Sequence, residues 1–305
     1  VTVGIKTRFK FIGVNPVTLE ETELSGWSEN TLLTQGLNEM ASRNWFTHVH
    51  VGTDNTLPDP SQGGMQGFVA ATGTVEETVE GLETDHAWKR KRFRFAQGAA
   101  AGNLNEVGIA YSTDPNDAIS RALTEDINGN QATITPKVDE ILDVVAEVRY
   151  YWPTTDVTGT VTVNSVVYNY TIRASGVNTG IWNTFIGNKI EAYCPSDASW
   201  SFYDGDIVLA NSPAAGIGYP CDNNSEYTNT YVGASYEIVF GLNAGPGTDG
   251  VDGWNANTGK LARTLVFQTT AGQYQCQFDN GGNGIPKTQL YTMLMEFVLG
   301  WAEKT

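Results

Sequence analysis

Two imidazoles stand two residues apart, His48 and His50, in the run His48-Val49-His50-Val51. On a β-strand that spacing puts both rings on one face, where they would chelate a transition metal if a third ligand arrived. His86, the one other histidine, and a carboxylate such as Asp54 are the side chains that could complete the set. Nothing in the spacing fixes that third ligand. The plainer expectation is a half-exposed strand in which polar residues alternate with valines, with no metal or other cofactor.

A second constellation is cationic. Lys89, Arg90, Lys91, Arg92 and Arg94 crowd the segment WKRKRFRF, the only basic cluster in an acidic chain. It would serve as an electrostatic dock for the acidic face of a neighbouring copy or another protein. It would equally serve as an edge strand kept from aggregating by its charge.

Carboxylates pair at Asp114/Asp117, Asp139/Glu140/Asp143, Asp204/Asp206 and Asp249/Asp252. Glycoside hydrolysis needs two carboxyl groups flanking one bond, about 5 to 10 Å apart. Most of these pairs fall in Gly-rich turns, where Asp is at home for conformational reasons. The runs 126–130 and 249–252 are calcium-like, but neither has EF-hand spacing. Trp182, Trp200, Trp254, Tyr193, Tyr203, Tyr219, Tyr227 and Tyr231 enrich the second half, and Trp254 lies in the loop-like GVDGWNANTG. Exposed loop aromatics make platforms for sugars or proteins; singly they are ordinary core residues. The chain has no G-x-S-x-G, no P-loop and no nucleotide-binding glycine motif, so no enzymatic activity is expected.

These side chains need strands to hold them. Leu142, Val144, Ala146, Val148, Tyr150 and Trp152 alternate with Asp143, Glu147 and Arg149, the period of a half-buried strand. The end of the chain repeats the pattern with Tyr291, Met293, Met295, Phe297, Leu299 and Trp301, so Glu147 falls on Glu296. Both glutamates are expected outward, paired with a neighbour. Val107–Tyr111 and Ile119–Leu123 match Leu265–Phe267 and Tyr274–Phe278 more loosely. Residues 157–172 form a hairpin about Asn164-Ser165. Further strands are expected near 3–11 (an edge, given Pro16), 45–51, 72–79, 88–95, 189–193, 200–203, 231–242, 263–268 and 274–278. One helix is expected over 31–43, capped by Ser28 or Thr31.

The 305 residues suffice for two domains, split near Pro153. Lys and Arg number 18 against 34 Asp and Glu, a net charge of −16. Such a chain is repelled by phosphate backbones, which excludes nucleic acid as the expected partner. Three cysteines, Cys194, Cys221 and Cys276, without a CxxC pair, suggest neither a disulfide framework nor zinc, and suit a reducing compartment during assembly. No leader-like pattern opens the sequence and no run is apolar enough to span a membrane.

The order of several segments resembles the structural proteins of tailed-bacteriophage virions, of the tail, tail-tip and tail-fibre type. They are HVHVGTDNTLPDPSQGGMQGF (48–68), GNLNEVGIAYS (102–112) with ISRALTEDINGN (119–130), and ITPKVDEILDVVAEVRYYWP (134–153). IVFGLN (238–243), TLVFQTTAGQYQCQF (264–278) and IPKTQLYTMLMEFVLGWAEK (285–304) continue the series. The resemblance brings no catalytic residues. It implies a virion component made in the host cytoplasm and located on the tail, baseplate or fibre, contacting copies of itself, other virion proteins and a host receptor or glycan. A capsid decoration or neck protein, or a carbohydrate-binding or depolymerising module, are the alternatives.

The expected architecture is therefore all-β: two duplicated β-sandwich domains, jelly-roll or immunoglobulin-like, with one short N-terminal helix. Residues 1–153 would be the assembly and anchoring module, and 154–305 the outer, contact module. Lys89, Arg90, Lys91, Arg92, Arg94, Glu147, Glu296 and Trp254 are the expected interface residues.

Overall fold

The computed structural model describes residues 1–40, 43–175, 199–208, 218–220, 225–232, 234–244, 261–269, 272–286 and 293–304. Of these, 4–151 and 302–304 form one compact unit; 1–3 and the described residues from 152 to 301 form the other. Both are built of strands, as the alternating patterns predict.

The strands of the N-terminal unit, in chain order, are β1 (Thr2–Val14), β2 (Glu21–Glu23), β3 (Ser28–Glu29), β4 (Thr31–Leu32), β5 (His48–Gly52), β6 (Phe68–Thr72), β7 (Val75–Leu82), β8 (His86–Phe95), β9 (Glu106–Ala110), β10 (Ser120–Leu123) and β11 (Ile141–Tyr151). One sheet has the order β1-β11-β8-β7, the other β4-β10-β9-β5-β6. β1 alternates without a break, burying Ile5, Thr7, Phe9 and Phe11. It lies antiparallel to β11 from Gly4 opposite Tyr151 to Val14 opposite Ile141. Side chains from both sheets fill the space between them. Phe46, just before β5, meets Phe93 of β8 at 5.7 Å between ring centroids, and Val49, Val51, Val107 and Ile109 are fully buried beside them. Burying each such side chain stabilises the unit by about 1.5–3 kcal/mol.

The C-terminal unit contains β12 (Val157–Val163), β13 (Val166–Ser175), β14 (Ser199–Tyr203), β15 (Gly218–Pro220), β16 (Ser225–Val232), β17 (Glu237–Ala244), β18 (Leu261–Ala262), β19 (Thr264–Thr269), β20 (Gly272–Asp279), β21 (Ile285–Pro286) and β22 (Met293–Glu303). Its larger sheet runs β12-β13-β20-β19-β14-β15; β16-β17-β22 lie in order beside one another, and β18 pairs with β21. Phe267 of β19 joins the layers, with Trp200 and Phe297 each at 4.4 Å and Phe240 at 5.0 Å.

The two units share a winding. Hairpins β5–β6, β7–β8 and β9–β10 alternate between two layers, and β11 closes the series. The sequence β14–β15, β16–β17, β19–β20, β22 does the same. Orders β10-β9-β5-β6 and β20-β19-β14-β15 coincide, as do β11-β8-β7 and β22-β17-β16.

Several local expectations are corrected. The helix is only α1 (Thr34–Glu39); Ser28 belongs to β3 and Thr31 to β4, and Leu33 stands at the cap position without a capping side chain. β1 is no edge, because β2 and β3 pair with it opposite β11. β8 is no edge either: β11 flanks it on one side and β7 on the other. The span 231–242 is not one strand but the end of β16 and most of β17, turned through Ala234 and Tyr236 at φ of 61° and 56°. The strand expected at 189–193 lies outside the described residues.

Candidate functional site

Strand β8 sorts its cations by parity. Ala87, Lys89, Lys91, Phe93 and Phe95 point to the buried side, and His86, Trp88, Arg90, Arg92 and Arg94 to the other. Lys89 is 3% exposed and Lys91 8%. The Lys91 ammonium donates to the Phe46 carbonyl at 2.8 Å and lies 5.1 Å from the centre of the Phe46 ring. Two of the five expected docking cations are thus drawn into the interior.

The three arginines on the opposite face meet carboxylates of β11. Register sets Glu147 opposite Arg90 on one side and Arg8 on the other, and Asp143 opposite Arg94. Asp143 accepts from Arg92 Nε at 2.5 Å and from Arg94 Nε and Nη2 at 2.8 Å each. Glu21 and Glu76 complete those two arginines at 2.7 and 2.8 Å. Glu147 accepts from Arg8 Nε at 2.7 Å, from Arg90 Nε and Nη2 at 2.9 and 2.5 Å, and from Arg149 Nε at 2.8 Å. Its side chain is only 1% exposed. Burial alone would raise the Glu147 pKa; the hydrogen bonds from Arg8, Arg90 and Arg149 outweigh it and hold the carboxyl below its ordinary value. Glu147 was expected to reach outward for a neighbour. It is corrected to a buried anion saturated by its own chain, because β1 and β8 bring arginines to it from both sides.

Above this glutamate lies a cleft of about 400 Å³, framed by Arg8, Trp88, Arg90 and Arg149 and rimmed by Glu83 and Asp85. Arg8 stacks over Trp27 at 4.1 Å, and Arg90 lies 4.9 Å from Trp88 and 5.1 Å from Trp27. Gly81, opposite Trp88 across the strands, makes room for the indole: a Cβ there would sit 2.4 Å from the ring. His86 stacks on Tyr151 at 4.6 Å, and its Nδ1 is 2.8 Å from Asp85 Oδ1.

The histidine pair stands apart from this cleft. His50 is buried, and its Nε2 donates to the Ser112 carbonyl at 2.7 Å. A carbonyl only accepts, so Nδ1 is the bare nitrogen, and it has no partner among the described residues. Burial pushes the His50 pKa down despite the Ser112 bond, favouring the neutral ring. His48 Nδ1 faces Thr47 Oγ1 at 2.8 Å. Asp54 is engaged by Arg121 at 2.9 Å. Among the described residues no three His, Cys, Asp or Glu side chains gather as a metal site.

The carboxylate pairs serve turns and ion pairs. Asp114 accepts from the Asn116 amide, Asp117 from Tyr111 and Ser112, and Asp126 from the amides of Asn128 and Asn130. Asp206 pairs with Arg263, and Glu140 with Lys137. Asp249, Asp252, Trp182, Tyr193, Trp254, Cys194 and Cys221 lie outside the described residues. Trp200 is a core residue, and Tyr231 stacks on Trp301 at 5.9 Å. Cys276 is a buried thiol whose pKa burial pushes up to about 12. Glu296 is exposed opposite Gly241, so the position matching Glu147 has no arginine across from it.

One polar centre lay hidden in the sequence. Arg121, fully buried, reaches Glu106 at 2.5 Å, Asp54 at 2.9 Å and the Thr56 carbonyl at 2.7 Å, fastening the 53–67 loop to β9 and β10. Its signal is a lone arginine in the apolar stretch Ile119–Leu123, a position that burial allows only with charged partners. No protein-family model, curated protein or solved structure matches the chain.

Proposed function

We propose that the chain is a non-enzymatic structural protein of a tailed-phage particle, in several copies on the tail, tail tip, baseplate or fibre. The observation that supports it best is the shared winding of the two units, with hairpins alternating between layers in one order. On this reading the units are duplicated sandwiches, and the ordered segments that resemble virion proteins are the strands and turns of that repeat. The work of such a protein is mechanical and adhesive, done by faces that pack against other copies and against further virion proteins. Buried charges fit a rigid scaffold: Glu147, Asp143 and Arg121 each spend their hydrogen-bonding capacity on partners within the fold. With a net charge of −16, the partners are proteins or host-surface glycans rather than nucleic acid.

Immunogold labelling of intact particles with antibody against the purified chain tests the reading. Gold confined to the tail or its tip is expected. Gold on the head or collar would favour the decoration or neck alternative, and unlabelled particles would sink the virion reading. A second reading, carbohydrate binding, is favoured by the arginine- and tryptophan-framed cleft.

A further inference from the structure

We propose that the cleft over Glu147 binds the carboxylate-bearing ring of an acidic sugar. Guanidinium donors around the cleft are left unused. Arg8 spends only its Nε on Glu147, and Arg149 its Nε there and Nη1 on the Tyr151 hydroxyl at 3.4 Å. Arg90 spends Nε and Nη2. Both terminal nitrogens of Arg8, Nη1 of Arg90 and Nη2 of Arg149 have no hydrogen bond among the described residues. Three guanidinium groups therefore share the one buried carboxylate, and the other two carboxylates of the lining, Glu83 and Asp85, make no hydrogen bond to them among the described residues. The three arginine side chains are 22–34% exposed, while the glutamate beneath them is closed off. Planar forks of this kind hold a carboxylate through paired hydrogen bonds.

The walls narrow the ligand further. Trp88 lines the cleft, packed against Gly81 with the Arg90 guanidinium 4.9 Å from its ring centre, and its indole supplies an apolar surface for the C–H groups of a sugar ring. Glu83 and Asp85 at the rim are acceptors for hydroxyl groups and would repel a bare polyanion such as phosphate. A ligand with one carboxylate and several hydroxyls satisfies both sets. The volume, about 400 Å³, lies within the ~300–1,000 Å³ of small-molecule sites. The biological source, an acidic glycan of the host surface, rests on the virion reading; the chemistry of the cleft does not. The cleft also lies in the unit expected to anchor rather than to contact.

Titration calorimetry of the full chain with D-glucuronic acid and N-acetylneuraminic acid tests the proposal, with D-glucose and sodium acetate as controls. At least one acidic sugar should bind more tightly than glucose and than acetate. Arg149→Gln should weaken it roughly tenfold or more, the loss of a charge-assisted bond. Gly81→Ala, which displaces Trp88 without altering charge, should weaken the sugar while leaving acetate unchanged. Glucose binding as well as the acidic sugars would overturn the proposal, as would acetate binding equally well, no binding of either acid, or full affinity in both variants. Acidic-sugar binding by a chain that immunogold fails to find on particles would sink the virion reading and leave the cleft standing.

Discussion

Glu147 shows how the surroundings of one strand position are set by register as well as by pattern. Period-2 alternation puts it on the polar side of β11, and that much is legible in the sequence. Its partners are not, because Arg90 and Arg8 are 57 and 139 residues away and arrive only through strand pairing. The matching Glu296 faces Gly241, so equal positions in equal patterns have different surroundings. The folded-state pKa of Glu147 is depressed from its ordinary 4.5, so its stabilising contribution is complete above that value and is lost as pH falls through the folded pKa. Glu147→Gln leaves three half-exposed guanidinium groups less compensated, and should destabilise the N-terminal unit at neutral pH by about 3 kcal/mol, the low end for a broken buried pair. Thermal unfolding at about pH 7 and about pH 3.5 should show a smaller drop for the variant than for wild type, the acid range being where a carboxylate of this kind titrates. An unchanged drop would mean that other carboxylates carry the acid sensitivity.

Elements were legible where local chemistry decides them. The β12–β13 hairpin follows from β-branched runs about Asn164-Ser165, and both turn residues adopt positive φ, 49° and 64°, as a type I′ turn demands. Ser165 has a Cβ in that left-handed region, whereas glycine would have none. Ser165→Gly should stabilise the C-terminal unit by roughly 0.5–1 kcal/mol, strain relief of about 1–2 kcal/mol offset in part by the backbone entropy of glycine. Denaturant titration checks this: an unchanged or lower midpoint at constant slope would show that the turn is unstrained. Other elements depart from their sequence pattern for physical reasons. The pattern around Leu33, Leu37 and Met40 suits a longer helix, yet Gly36 packs with its Cα against the Ile119 backbone, where a Cβ would lie 2.3 Å from the carbonyl oxygen. β8 looked like an edge from its charge, but those charges answer β11 on one face and the core on the other. A cross-strand glycine beneath an aromatic ring recurs in two hairpins, Gly81 under Trp88 and Gly159 under Tyr170, and neither pair is visible until register is known.

At the scale of the molecule, winding is repeated while stabilising chemistry is not. Aligning β8–β11 with β17–β22 through Glu147 and Glu296 sets buried Lys89 and Lys91 against Phe240 and Leu242, and Arg90 against Gly241. On the core side one unit buries lysines where the other buries a ring and an aliphatic chain; on the cleft side Gly241 stands where Arg90 does, so the C-terminal unit lacks that arginine. The same charges bear on assembly. A chain of net charge −16 repels its copies, and the repulsion acts over about 30 Å at 0.01 M salt but about 10 Å at 0.1 M. If copies associate through apolar or hydrogen-bonded strand faces, as proposed, salt should strengthen the association by screening that repulsion. Sedimentation velocity at micromolar concentration, carried from low to physiological salt, should show the oligomer fraction rising. A fraction that falls with salt would point instead to contacts between opposite charges, with the arginine face of β8 the first region to mutate. A chain that stays monomeric throughout would count against assembly by this protein alone.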